Sequence, residues 1–142
     1  MTDPDLRQLS NELVVLSARI VRMVRRHGAG DLPAASTRML SLLDETGPTT
    51  VGALAEADRC TQPTMSGLVG GLVEKGWVQR EPHPDDARSS LVSMTAAGRA
   101  VLNDVRRSNA TLVADRIAAS GRPAQDLATA VAVLRDLLLE ES

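Results

Sequence analysis

The most constraining feature of this sequence is the order of the elements predicted across residues 49–98. Thr49 or Thr50 is suited to cap a short helix, because a threonine hydroxyl accepts a hydrogen bond from the first helical turn. The chain then turns through residues 58–60, and Thr61 caps a second helix that Gly76 ends. This pattern predicts two helices joined by a tight turn, which is a helix-turn-helix.

Two short strands are predicted after the second helix, at residues 77–81 and 89–94. The connection between them, residues 82–88, is too long and too rich in proline for a tight turn, so it is predicted to protrude as a wing. A helix-turn-helix can lay its second helix in the major groove of DNA. An arginine at the tip of a wing can enter a narrow minor groove. The order of these elements therefore predicts a winged helix-turn-helix and a DNA-binding function.

A long amphipathic helix is predicted before this segment. Asp3 is suited to cap it, with Pro4 as its first residue, and Gly28 and Gly30 are expected to stop it after His27. Its apolar positions alternate at spacings of three and four residues, which is a heptad-like pattern: Leu6, Leu9, Leu13, Leu16, Ile20 and Met23. A second helix is predicted to start after Pro33 and to end at Gly47.

Two more helices are predicted after the wing. Thr95 caps a long one, and Gly121 and Pro123 break the chain before the last one. The last helix again carries apolar residues near heptad spacing: Leu127, Val131, Leu134 and Leu138. The apolar residues at heptad spacing form a stripe on each of the outer helices. One small domain cannot cover both stripes, so we expect a second copy of the chain to bury them. The alternative is that these helices pack only on their own domain.

The composition agrees with a mainly helical protein. The chain has 142 residues and 43% hydrophobic residues, but Trp77 is its one aromatic side chain, so aliphatic residues must fill the core. The predicted fold class is mainly α with a small β-hairpin, in a single domain over residues 1–142. Residues 34–95 form the winged helix-turn-helix core, and residues 4–30 and 96–140 form dimerisation helices.

Several classes of protein are disfavoured by the charges and by the scarcity of reactive side chains. A net charge of −2 argues against non-specific coating of nucleic acid. Cys60 is the one cysteine, so no intramolecular disulfide or cysteine-based zinc site is expected, and a structural thiol is favoured over a redox sensor. His27 and His83 are far apart in sequence, and neither has a partnered nucleophile. We expect no enzyme, no metal and no cofactor.

Localisation is predicted from two absences in the sequence. No apolar run approaches the roughly 20 residues that a membrane span needs, and the N-terminus lacks a secretory pattern. A cytoplasmic protein without membrane contact is therefore expected.

Residues 47–98 resemble the core of the MarR family of bacterial transcription regulators. The matching motifs are Leu54-Ala55, Thr61-Gln62-Pro63-Thr64, Leu72, Glu74-Lys75-Gly76-Trp77-Val78, Asp86-Ala87-Arg88 and Met94-Thr95-Ala96-Ala97-Gly98. The resemblance implies a homodimer that binds double-stranded DNA at a pseudo-palindromic operator. It also implies repression that a small ligand or an oxidant relieves.

The first turn of the recognition helix, predicted over residues 62–75, is expected to face the base edges. Glutamine can pair with adenine, and serine or threonine can serve several bases or a phosphate. The helix N-terminus adds backbone N–H groups that suit a phosphate. The candidate contacts here are Thr61, Gln62, Thr64, Met65 and Ser66, although Thr61 and Thr64 are also explained as capping residues alone.

Other candidate DNA contacts lie outside the recognition helix. Arg88 is the expected minor-groove contact, and Asp86 is expected to brace the wing beside it. Arg80 and His83 at the base of the wing are candidate phosphate contacts. So are the first residues of the second helix, Ser36, Thr37 and Arg38.

Arginines also cluster near the end of the first helix, where Arg19, Arg22 and Arg26 share one face with a spacing of three and four residues. For that face a solvated surface is favoured over a DNA contact.

The recognition helix has one unusual feature. Gly67, Gly70 and Gly71 lie within it, whereas many members of the family carry basic residues at the first and last of these positions. Residues 51–99 contain five basic and six acidic side chains, which is a poor electrostatic footprint for DNA. The alternative function is therefore a winged-helix module that binds proteins and has little affinity for specific DNA.

Overall fold

The computed structural model describes residues 2–28 and 32–139 of the chain. The chain divides into two units by contact: a winged unit, residues 29–107, and a helical unit, residues 1–28 with 108–142. Gly30, expected to help stop the first helix, lies outside the described residues, as do residues 29 and 140 of the predicted dimerisation helices.

The winged unit contains the predicted helix-turn-helix and a small sheet. Its elements in chain order are α2 (Ala34–Thr46), β1 (Thr49–Thr50), α3 (Val51–Ala57), α4 (Gln62–Glu74), β2 (Val78–Pro82), β3 (Ser90–Met94) and the beginning of α5 (Ala96–Ser120). The expected mainly helical fold with a β-hairpin is confirmed. Helix α4 ends one residue before the predicted end, and each strand of the hairpin begins one residue later than predicted.

The core of the winged unit is aliphatic, as the composition requires. The largest fully buried side chains are Met39, Leu40, Leu54, Met65, Val69, Val78, Val92 and Leu102. They come from α2, α3, α4, β2, β3 and α5, so one cluster holds every layer of the unit together. Burying each of these side chains contributes about 1.5–3 kcal/mol relative to leaving it in water.

The sheet contains a third strand that the sequence does not predict. Strand β1 pairs with β3, Thr49 opposite Val92 and Thr50 opposite Leu91, in the order β1-β3-β2. Two residues are too few to show the alternating pattern that identifies a strand. Thr50 also caps α3, because its hydroxyl oxygen accepts from the backbone N–H of Ala53 at 3.1 Å.

Thr95 joins the end of α4 to the beginning of α5. Its hydroxyl donates to the carbonyl oxygen of Gly76 at 2.6 Å and accepts from the N–H of Gly98 at 3.1 Å. Its own N–H donates to the carbonyl oxygen of Trp77 at 3.0 Å. Gly76 has a φ of 76°, a left-handed conformation that favours glycine. The predicted cap of α5 is thus also a tertiary contact.

The helical unit contains α1 (Asp3–His27), the part of α5 from Ser108 and α6 (Ala124–Leu138). The predicted N-cap of α1 is wrong by one residue: Thr2 is the N-cap, and Pro4 is the second helical residue. Thr2 occupies this position because the carboxylate of Asp5 accepts from its backbone N–H at 3.2 Å, half of a capping box.

Neither α1 nor α6 buries a residue. Within the described residues, no helix is both long enough and apolar enough to cross a membrane.

Substitution of Gly98 tests the junction at Thr95. The added methyl group of Gly98→Ala would overlap the carbonyl oxygen of Trp77 and lie 2.9 Å from its carbonyl carbon. We expect the free energy of unfolding in urea to fall by about 3 kcal/mol, because backbone must shift. Gly67→Ala is the matched control, since a methyl group there has open space and should raise that free energy by up to about 1 kcal/mol. Equal effects of the two substitutions would contradict the close approach at Gly98.

Candidate nucleic-acid interface

The rotation of α4 about its own axis is fixed by three buried side chains. Met65, Val69 and Leu72 are at most 3% exposed and share one face at helical spacing. The expected contact between Met65 and DNA is therefore wrong, because its side chain is fully buried in the core. The exposed positions of the first turns are Gln62, Pro63, Thr64, Ser66 and Gly67, and the polar side chains among them form the outer surface of the helix.

The first turn of α4 is capped as the sequence predicts. The hydroxyl oxygen of Thr61 accepts from the backbone N–H of Thr64 at 3.3 Å and donates to the hydroxyl of Thr64 at 2.9 Å. Because a hydroxyl can both donate and accept, Thr64 keeps hydrogen-bonding capacity beyond this contact. Capping by Thr61 thus leaves the Thr64 hydroxyl available at the exposed end of the helix.

Gln62 lies against the beginning of α3. A Cβ atom built on Gly52 would be 3.2 Å from Nε2 of Gln62, which is closer than ordinary van der Waals contact. Because Gly52 has no side chain, the carboxamide of Gln62 can lie against it. The sequence gives no signal for this pairing, because a glycine inside a short helix is conspicuous only for its cost in helix stability.

Arg38 is held by the turn of the helix-turn-helix. Its Nε and an Nη donate to the two carboxylate oxygens of Asp58, at 2.6 and 3.0 Å. This contact raises the pKa of Arg38 and holds the pKa of Asp58 below its ordinary value of 3.8. A guanidinium has five N–H donors, and the side chain of Arg38 is 44% exposed, so donors remain for a further acceptor.

The two residues before Arg38 differ in exposure. Ser36 is 8% exposed and belongs to the buried side of α2, so its expected contact with a phosphate is wrong. Ser36 precedes Met39, Leu40 and Leu43 by three, four and seven residues, so it shares their buried face of the helix. Thr37 is half-buried and keeps part of its surface in solvent.

The wing presents Arg88 to solvent and holds Asp86 beside it. One carboxylate oxygen of Asp86 accepts from the backbone N–H of Arg88 at 3.0 Å, and the other lies 3.5 Å from the hydroxyl of Ser89. The guanidinium Nε is 3.7 Å from Asp86, and the Arg88 side chain is 95% exposed. The carboxylate thus acts mainly on the backbone of the turn, while the guanidinium remains accessible.

The remaining wing candidates occupy different environments. His83 is partly buried, and its Nδ1 accepts from the backbone N–H of Asp85 at 3.0 Å, so it shapes the loop. Arg80 is exposed on β2, opposite Val92 in the sheet register. The structure thus brings Arg80, His83, Asp86 and Arg88 into one hairpin, as expected.

The outer surface of α4 has little charge. A Cβ atom on Gly67, Gly70 or Gly71 would meet no atom within 4 Å, so nothing in the described residues requires glycine there. Cys60 in the turn before α4 is partly buried against the core. Among the described residues, no three histidine, cysteine or acidic side chains are grouped so that they could hold a metal ion.

Comparisons with known proteins agree on one family. The model of the MarR family matches residues 32–90. A protein named as an HTH-type transcriptional regulator in Mycobacterium bovis is 32% identical over 143 residues, covering 100% of this chain and 99% of the relative. A relative with the same type of name in Mycobacterium leprae is 31% identical, with the same coverage.

Solved structures share the fold. A MarR family protein from Bacillus stearothermophilus aligns with a TM-score of 0.78 and 18% identity, over 99% of this chain and 98% of that one. BpsR from Bordetella bronchiseptica, whose DNA binding is regulated by 6-hydroxynicotinic acid, aligns with a TM-score of 0.63 and 22% identity, over 92% and 98% of the two chains.

The ion pair between Arg38 and Asp58 predicts a loss of stability in acid. Because the pKa of Asp58 is lowered in the folded state, the pair stabilises the fold at pH values above about 4 and ceases to do so as the pH falls through the lowered value. Asp58→Asn should lower the free energy of unfolding by about 1 kcal/mol at pH 7 and have little effect near pH 2.

Asp104→Asn is the control, since Asp104 forms an exposed pair within one helix and should change little at either pH. Urea unfolding at the two pH values measures both variants. An Asp58→Asn effect of equal size at both values would contradict the role of its charge.

Proposed function

This chain belongs to the MarR family of HTH-type transcriptional regulators, and from that premise we propose that it is a cytoplasmic repressor. It binds a pseudo-palindromic operator as a homodimer, and a small ligand or another signal releases it. The observation that carries the proposal is the joint exposure of two reading elements in one winged unit. These are the polar first turn of α4 and the guanidinium of Arg88 on the wing.

In the proposed complex α4 enters the major groove. Gln62 offers a carboxamide that can donate to and accept from adenine, and Thr64 and Ser66 offer hydroxyl groups. The glycines that follow present backbone without side chains, so the helix can lie close to the DNA. Because this surface carries no positive charge between Arg59 and Lys75, affinity must come mainly from other residues.

The other residues of the winged unit supply the charge. Arg88 enters the adjacent minor groove, and the bracing of its backbone by Asp86 lowers the entropy cost of placing it there. Arg38, Thr37 and Arg80 bind phosphates on either side of the groove. Thr61 caps the helix that presents the reading residues, and His83 shapes the loop that carries Arg88.

A homodimer is supported by the exposed apolar side chains of the helical unit. Leu6 and Leu9 on α1 are at least 50% exposed, and on α6 Leu127, Val131 and Leu134 are 37–39% exposed at helical spacing. Exposed apolar stripes of this size are unusual on a monomer. A two-fold dimer that buries them places two winged units on half-sites about one helical turn of DNA apart.

A gel-shift experiment with the promoter of the protein's own gene, across a salt series, tests the function. We expect a sequence-specific shift that weakens as salt rises. The low charge of α4 favours a second candidate, a winged-helix module that binds proteins. No specific shift at low salt, with this promoter or with neighbouring ones, would reject the repressor and favour that module.

Arg88→Ala should weaken operator binding about tenfold or more and should flatten the salt dependence of affinity by about one unit of slope. The physical reason is the loss of one guanidinium that displaces counterions from DNA. Fluorescence anisotropy at several salt concentrations measures both quantities. Arg122→Ala, which removes an arginine from the turn before α6, is the control and should leave both unchanged. Unchanged binding by Arg88→Ala would remove the wing arginine from the contacts.

Gly52→Ala should change sequence preference without weakening the fold. The added methyl group moves the carboxamide of Gln62 by a few tenths of an ångström, which should reduce discrimination at one base pair of each half-site by less than the about 1–3 kcal/mol of a complete bidentate contact. Binding to a library of single-base operator variants measures the effect. In a Gln62→Ala background the same substitution should add nothing, since the two residues act through one contact. Additive effects of the two substitutions would contradict the pairing.

Leu134→Glu should convert the dimer into a monomer, because a charge in a buried apolar interface has a large desolvation cost. Analytical ultracentrifugation at micromolar concentration measures the mass. Gln125→Glu on the same helix introduces the same charge outside the apolar stripe and should leave the dimer intact. A monomeric wild-type protein, or a dimeric Leu134→Glu variant, would contradict a dimer through this stripe.

A further inference from the structure

Four arginines line a cleft within the helical unit. The cleft lies between the C-terminal half of α1 and the second half of α5 and has a volume of about 650 Å³. Arg19, Arg22 and Arg26 border it from α1, and Arg116 borders it from α5. Among residues 2–28 and 32–139, no acidic side chain lines the cleft, and His27 is its remaining polar lining residue. The sequence places three of these arginines on one face of α1 but gives no sign that a fourth lies opposite.

None of these four guanidinium groups has a carboxylate within 4.0 Å in the part of the chain that the structure describes. Of the eleven arginines outside the cleft, seven lie within 4.0 Å of a carboxylate. Arg25, Arg59, Arg80 and Arg135 have no such partner among the described residues, so the cleft is distinguished by bringing four unpaired arginines together. The four in the cleft form neither an ion pair nor a hydrogen bond with residues 2–28 or 32–139. Four like charges that share one cleft repel one another, and a bound anion would relieve that repulsion.

Apolar side chains lie between the arginines. Leu16, Ile20 and Met23 line the same cleft, and the first two are 48% and 51% exposed. Arg19 and Arg26 are seven residues apart, which is roughly 10 Å along a helix axis. The occupant that fits these features has an apolar body and more than one negative charge.

We propose that this cleft binds a small organic phosphate with an apolar or aromatic body. A phosphate monoester carries nearly two negative charges at neutral pH and three acceptor oxygens. Guanidinium groups bind it in bidentate geometry. A single carboxylate would neutralise only one of the four charges. Binding of the phosphate does not depend on the proposed function, whereas any effect of that binding on an operator complex does.

Two other occupants fit the cleft less well. The backbone of duplex DNA offers phosphates but no apolar group for Leu16, Ile20 and Met23. A second copy of the chain would have to supply a carboxylate to each of the four guanidinium groups that it buried, because desolvating an unpaired charge is costly. The N-terminal half of the α1 stripe, around Leu6 and Leu9, carries no such cluster and remains suited to the dimer interface.

Isothermal titration calorimetry with the full chain tests the site without DNA. The probes are 1-naphthyl phosphate, 1-naphthoate, which has the same ring and one charge, and inorganic phosphate. At pH 8 we expect 1-naphthyl phosphate to bind at least about tenfold more tightly than either of the others. Equal affinity for 1-naphthoate, or no binding of 1-naphthyl phosphate, would overturn the proposal whether or not an operator is found.

Variants locate the binding. The double variant Arg19→Gln with Arg26→Gln should lower the affinity for 1-naphthyl phosphate at least about tenfold. Arg116→Gln should also lower this affinity, because Arg116 lines the cleft from α5 rather than from α1. Arg25→Gln is the matched control, because Arg25 is on the same helix and does not line the cleft. Equal losses in all three variants would reject the cleft as the site.

Two further outcomes would assign the arginines to another occupant. If a short duplex without an operator displaces 1-naphthyl phosphate and its own binding is lost in Arg19→Gln with Arg26→Gln, the cleft is a DNA-backbone site and the proposal is wrong. If that double variant changes the sedimenting mass, the cleft is part of an interface between copies and the proposal is again wrong.

Discussion

Burial of one face of α4 is the constraint on which the rest of the winged unit depends. Met65, Val69 and Leu72 enter a core whose fully buried side chains include no aromatic residue, with Trp77 packed only at its edge, and this close packing fixes the rotation of α4 about its axis. That setting decides which residues face outwards. Thr95 then ties the end of α4 to α5 and to the hairpin, so the recognition helix and the wing share a single rigid support.

The sequence predicts the elements of this unit well because its boundaries are set by local chemistry. Thr50, Thr61 and Thr95 cap helices through their own hydroxyl groups, and glycines with a positive φ follow the last residues of α2 and α4. The DNA-facing residues are predicted less well. The prediction assigns every residue of the first turn of α4 to the DNA-facing surface. The i, i+4 and i+7 spacing of Met65, Val69 and Leu72 indicates instead that Met65 belongs to the core.

Contacts between residues far apart in the chain could not be predicted from the sequence, because no local pattern indicates them. Asp58 is 20 residues from Arg38, and Asp44 accepts from Arg99 and Arg106 at 2.8 Å across 55 and 62 residues. The pairing of Gln62 with Gly52 and the arrival of Arg116 beside the α1 arginines depend in the same way on packing. Since these contacts decide which charges remain accessible, they also decide where anions can bind. In the winged unit some N–H donors of Arg38 are already bound to the carboxylate of Asp58, whereas the guanidinium of Arg88 is exposed to solvent.

Selection of duplexes from a random DNA library by this chain tests whether it reads specific DNA as a dimer, because the experiment assumes no promoter. We expect enrichment of a pseudo-palindrome whose half-sites lie about one helical turn apart. Between or beside the half-sites we expect a narrow A·T-rich minor groove where Arg88 enters. Failure to enrich any sequence at low salt, or enrichment of a single asymmetric site, would contradict a dimeric winged helix-turn-helix that reads DNA with α4 and the wing.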